Sequence, residues 1–78
     1  MSMMEKLDLL KCIGKNVKIA RESKGLSQLD LVGKIEGNID TTNISRIESG
    51  RTNPTIFTLF RIATALEVPL QELVELQE

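Results

Sequence analysis

The stretch from Leu26 to Gly50 constrains this chain more than any other, because it carries two sets of helix-start signals and a helix stop within a short span. Ser27 stands before an apolar series at Leu31, Val32 and Ile35, with Asp30 three residues on. A hydroxyl at that position accepts from a free backbone N–H of the first turn, and an acid there meets the positive end of the helix dipole. Leu26 and Leu31 fall at the two positions that staple a helix start. The device then repeats, with Asp40 as the cap candidate, Ile39 and Ile44 as the staple pair, and Ile44 with Ile47 as a narrow apolar stripe. Gly50 suits the left-handed residue that ends a helix. The pattern therefore predicts two short helices joined by a turn, over about residues 27–49.

The other face of the second helix decides what the pair can do. Thr41, Thr42, Ser45, Arg46 and Ser49 lie away from Ile44 and Ile47. That puts short polar groups near the helix N-terminus and an arginine one turn further along. Threonine can hydrogen-bond a base edge or touch a thymine methyl, and arginine can fork onto guanine. A solvated polar face would look the same in composition. Its place on the second helix of a helix-turn-helix, the helix that enters the major groove, favours base contact through Thr41, Thr42 and Arg46.

The remaining sequence also reads as helix, with no strand-like alternation. Helix one is expected from near Met3 or Glu5 to Lys24, with Ser2 and Glu5 spaced as a capping box, Leu10, Ile13, Val17 and Ala20 facing inward, and Gly25 as the stop. Helix four is expected behind Pro54 with Thr55 as its cap and Ile56, Leu59, Ile62, Ala63 and Leu66 inward. Pro69 opens helix five, expected over 69–76 with Leu70, Leu73, Val74 and Leu76. The fold class is thus all-α, a bundle of five helices in one domain spanning 1–78. Helix five has more apolar residues than one face can bury. Val74 and Leu76, helped by Phe57 and Phe60 of helix four, are therefore candidates for a homodimer interface.

Three segments together carry a resemblance. They are Ile13-Gly14-Lys15 through Arg21-Glu22-Ser23-Lys24-Gly25-Leu26-Ser27-Gln28, then Ile44-Ser45-Arg46-Ile47-Glu48-Ser49-Gly50-Arg51-Thr52-Asn53-Pro54-Thr55, and Leu59-Phe60-Arg61-Ile62-Ala63-Thr64-Ala65-Leu66-Glu67-Val68. Over about residues 13 to 76 the chain closely resembles the phage-repressor and Cro-like family, also called the xenobiotic-response-element family. The resemblance implies a lambda-repressor-like five-helix bundle that binds operator DNA as a transcriptional regulator. It implies that Arg21 and Glu48 meet as a partly buried ion pair, where two unrelated surface charges would be the plainer alternative. It also places Gln28, Asn43, Arg51, Asn53 and the first amides of helix four at positions that grip DNA phosphates. The Thr52-Asn53-Pro54 segment can serve equally as an ordinary turn into a helix.

One departure stands out. Leu31 to Ile44 spans thirteen positions, two more than the family's usual spacing, while Ile39 keeps its spacing to Ile44. Either helix two gains half a turn or the turn between the helices is wider. Gly37 and Asn38 tolerate positive φ, which favours the wider turn, bulging into solvent rather than adding a backbone contact.

Composition narrows the functional classes. A chain of 78 residues has a marginal core that an oligomer interface would help. The net charge of −1 argues mildly against nucleic acid, but its distribution reverses the argument. Residues 1 to 51 carry nine Lys or Arg against seven Asp or Glu, and residues 52 to 78 carry one Arg against four Glu. There is no histidine, no phosphate-binding glycine loop and no metal-ligand cluster in the sequence. No catalytic residue, metal, cofactor or small-molecule ligand is therefore expected, and the protein is not read as an enzyme. The start of the chain has acids and no long apolar core, so no membrane is expected as a partner and the expected location is cytoplasmic. Cys12 is the only cysteine and is read as a packed or half-exposed residue rather than a redox sensor. The reading is a dimeric regulator on an inverted-repeat operator. The alternative is a protein-interaction module, such as an antitoxin or assembly partner, that keeps the fold.

Overall fold

In the computed structural model, which describes residues 5–76, five helices follow one another: α1 (Lys6–Ser23), α2 (Gln28–Lys34), α3 (Thr41–Glu48), α4 (Ile56–Leu66) and α5 (Leu70–Val74). The three middle helices start where a side chain captures a free amide. Ser27 and Asp30 form the reciprocal capping box, the Ser27 hydroxyl accepting from the Asp30 N–H at 3.0 Å and Asp30 accepting from the Ser27 N–H at 2.9 Å. The Ser27 N–H, with the Ser27 hydroxyl beside it, holds the exposed Asp30 carboxyl below its usual pKa range. Asp40 accepts from the Asn43 N–H at 2.8 Å, and the Thr55 hydroxyl from the Thr58 N–H at 3.0 Å. For α1, Glu5 occupies the cap position without a side-chain hydrogen bond, and the expected partner Ser2 lies outside the described residues.

α1, α3 and α4 end in one way. After α3, the Gly50 N–H reaches the Ile47 carbonyl and the Arg51 N–H reaches the Arg46 carbonyl, the paired bonds of a Schellman motif. Gly25 plays the same part after α1. After α4 the left-handed position is filled by Glu67, at φ 58, the one non-glycine residue with positive φ among those described.

The core is built where these helices cross. Val17 and Ala20 of α1, Leu31 and Ile35 of the α2 region, Ile44 and Ile47 of α3, Leu59, Ile62, Ala63 and Leu66 of α4, and Leu73 of α5 are all buried in one cluster. α1 packs on α3 and α5, while α2 bridges α3 and α4. The short α5 contributes Leu73, fully buried, as its anchor. None of the described helices is long and apolar enough to cross a membrane.

Sequence expectations change at two helix ends. Ile56, expected inward, is 65% exposed, because as the first residue of α4 it stands at the open end of the stripe. α5 stops at Val74, with Glu75 extended and Leu76 outside the helix. The cause lies in α1, where the Asn16 amide donates to the carbonyls of Leu73 at 3.0 Å and Glu75 at 2.7 Å. Those carbonyls are satisfied by a side chain rather than by another helical turn. The spacing between α2 and α3 is taken up by a wider turn and not by a longer helix, since Ile35 is already extended, with ψ 129, and buried.

Candidate nucleic-acid interface

Helix α3 is fixed on one side and open on the other. Ile44 and Ile47 are sunk in the core. Thr42, Asn43, Ser45, Arg46 and Ser49 are exposed, and Thr41 is half-buried. The 8-residue helix rises about 12 Å, which suits one major-groove contact of a few base pairs.

The lower end of α3 is held by charge. Arg21 Nε lies 2.7 Å from Glu48 Oε2 and Arg21 Nη2 lies 3.0 Å from Glu48 Oε1, a forked pair with side chains 9% and 4% exposed. Arg21 Nη1 donates to the Leu26 carbonyl at 2.7 Å, so the guanidinium also ties down the turn between α1 and α2. Hydrogen bonding to Glu48 raises the Arg21 pKa above its already high value, although burial works against it. Gln28 completes the group, its Nε2 donating to Glu48 Oε1 at 3.1 Å. Among the described residues no buried side-chain N or O atom lacks a partner.

Close approach of backbones sets the crossing of α1 and α3. Gly14 is buried, and a Cβ placed on it would collide with the carbonyl oxygens of Ile47 and Glu48. The signal for this was present in the sequence, since Leu10, Gly14, Val17 and Arg21 fall on one helical row of α1.

Two shallow polar clefts flank α3. One is lined by Lys18, Gln28, Ser45 and Ser49 with the Arg21–Glu48 pair at its floor. The other joins Asn43 and Arg46 to Thr52, Asn53 and Thr55 at the start of α4, with Arg61 at its edge. Of the residues singled out in the sequence, Asn43, Arg46 and Asn53 thus meet in one cleft and Gln28 stands in the other. Arg51 is exposed just beyond the helix stop and lines neither. Thr41 and Thr42 lie in the first turn of α3. Phe57 and Phe60, 67% and 54% exposed, border a separate open groove with Lys34, Glu36 and Asn38. Val74, expected outward, is half-buried against the core, and Leu76 is 49% exposed. Arg61, Gly14 and Asn16 are structurally important residues that sequence reasoning passed over.

A recognition-type helix presented between two polar clefts, on an all-helical scaffold, defines a helix-turn-helix DNA-binding protein. The chain belongs to the helix-turn-helix family HTH_3, whose model matches residues 17–73. A relative from Sinorhizobium fredii, an uncharacterized HTH-type transcriptional regulator, is 37% identical over 68 residues, covering 87% of this chain and 86% of its own length. Three solved structures are also similar. The restriction-modification controller protein C.AhdI from Aeromonas hydrophila shares 32% identity at a TM-score of 0.75, over 85% of this chain and 96% of that one. The hypothetical transcription factor NHTF from Neisseria shares 27% at a TM-score of 0.79, over 95% and 83%. An HTH_3 family transcriptional regulator from Vibrio cholerae shares 28% at a TM-score of 0.81, over 88% of this chain and 38% of that longer chain. By these names the relatives are transcriptional regulators, a transcription factor and a controller protein, and the chain is a helix-turn-helix transcriptional regulator and not an enzyme.

Proposed function

We propose that this protein binds double-stranded operator DNA sequence-specifically, as a homodimer on an inverted repeat, and acts in the cytoplasm as a repressor or controller of transcription. The observation that carries the proposal is the open face of α3, with Thr42 and Arg46 exposed and Thr41 beside them, while Ile44, Ile47 and the Glu48 pair hold the opposite side rigid. Thr41, Thr42 and Arg46 read base edges. Gln28, Asn43, Arg51 and Asn53 hold phosphates, helped by the free N–H groups of Ile56 and Phe57 at the start of α4. The Gln28 side chain is engaged with Glu48, so its phosphate contact would come from its backbone amide, which has no intrahelical partner at the first position of α2. Likeness to a restriction-modification controller protein favours the controller form of this reading.

The test is a salt-dependent gel shift on DNA flanking the gene, with random DNA as the reference. Arg51→Ala should weaken binding to every sequence alike and lower the salt slope by about one. Arg46→Ala should cost about 1–3 kcal/mol on the selected site alone. Equal losses on selected and random DNA for Arg46→Ala would remove its base-reading role. Absence of any shift at low salt would favour the protein-interaction module instead.

A further inference from the structure

Arg61 lies midway along α4 and does not belong to the core. Its Nε donates to the Glu36 carbonyl at 3.0 Å and its Nη2 to the Asn38 carbonyl at 3.3 Å. The guanidinium carbon stands 5.7 Å from the centroid of the Phe57 ring, one turn earlier on the same helix, within the range of a cation–π contact. Between the two carbonyls sits Gly37, at φ 98, where a Cβ would fall 2.8 Å from Arg61 Nη2. Glycine supplies the φ of 98 that turns the backbone around the guanidinium, and leaves room beside its tip.

This clasp closes on the part of the chain that carries the extra spacing between α2 and α3. The next residues are Ile39, packed on the core, and Asp40, the cap of α3. A wide turn of exposed residues has few contacts of its own and would otherwise leave the direction of the chain into α3 loosely set. A planar fork that reaches two carbonyls from a neighbouring helix removes that freedom, and lysine, with one compact ammonium, cannot copy it.

We propose that Arg61 is a positioning residue for DNA reading, its guanidinium clasping the Glu36 and Asn38 carbonyls to fix the start of α3 and so the aim of Thr41 and Thr42. The consequence for DNA rests on the operator-binding reading above. The clasp itself is a property of the free protein. Arg61 also edges the cleft that holds Asn43, Arg46 and Asn53, so a direct phosphate contact is the competing role, and Arg61→Lys separates the two by keeping the charge while losing the fork.

Two measurements on Arg61→Lys and Arg61→Ala decide the matter. In the free protein, hydrogen exchange at the Asn43 and Ile44 amides, which are held by Asp40, should quicken about tenfold while the core amides of α4 keep their protection. On sites selected from a random library, the ratio of selected-site to random-DNA affinity should fall about tenfold in both variants, the loss of one misaligned base contact, with the salt slope unchanged. Unchanged exchange and an unchanged ratio in Arg61→Lys would overturn the proposal, and a slope lowered by about one in Arg61→Ala alone would replace it with a phosphate contact. If the wild type selects no site, the operator reading fails, while the exchange data still decide whether Arg61 holds the start of α3.

Discussion

Glu48 receives three donors from two directions, Nε and Nη2 of Arg21 and Nε2 of Gln28. Its loss should therefore do more harm than the loss of an ordinary surface acid. In Glu48→Ala the Arg21 guanidinium stays buried with two donors unpaired, and the expected cost is about 3–5 kcal/mol of stability. Replacing Arg21 as well removes the stranded charge, so the double variant should recover part of that loss. Urea denaturation of the two single variants and the double variant measures the coupling, and mild, additive effects would show that the pair does not hold α3 in place. Arg21 and Glu48 stood out in the sequence through the family resemblance. The third member did not, because Gln28 meets Glu48 only through the crossing of α2 with α3, a distance of twenty residues along the chain that no local pattern encodes.

At the scale of elements, the same substitution should have opposite signs in two helices. Gly14→Ala drives a Cβ into two carbonyl oxygens of the α3 end, and because backbone cannot yield as a side chain can, the loss should reach about 1–3 kcal/mol or more. Gly33 in α2 has nothing within 4 Å of its would-be Cβ, so Gly33→Ala should add about 0.5–1 kcal/mol. Thermal melts of the two variants settle both signs. The α2 cap supplies a pH test. Asp30 has its folded pKa lowered from 3.8 by the bonds with Ser27, so its contribution is present above that value and disappears as pH falls through the lowered one. Asp30→Asn should accordingly lower the melting temperature at neutral pH and converge with the wild type in acid. A difference that persists unchanged at the lowest pH would argue against a charge-dependent cap. Helix starts at Ser27, Asp40 and Thr55 were legible in the sequence because capping involves residues three apart. The end of α5 was not, because it is set by Asn16, fifty-seven and fifty-nine residues away from the carbonyls it captures. Nor was the burial of Val74, whose helical position says nothing of how α5 leans on α1.

At the scale of the whole molecule, one α3 covers a single groove, and specific recognition of a longer site calls for a second copy. Successive major-groove faces lie about 34 Å apart, so a two-fold pair would read an inverted repeat with half-site centres about one helical turn apart. One surface suited to such a pair is the outer side of α4, where Ile56, Phe57 and Phe60 cluster at 65%, 67% and 54% exposed, with Leu76 as a further exposed apolar residue just beyond α5. A patch of this kind on a small regulator is unusual unless something covers it, and an isologous contact covers it with its own copy. Val74, half-buried at home, can add only its rim, and Phe57 also supports Arg61, so neither is the right residue to change. Phe60→Asp with Leu76→Asp alters two side chains that lie outside the buried core and stand about half exposed. The double variant should remain folded by circular dichroism, sediment as a monomer and bind an inverted-repeat site far more weakly than the wild type, while binding to a single half-site stays the same. A wild type that sediments as a monomer at micromolar concentration, both alone and on its selected site, would mean that the exposed face of α4 serves some other partner.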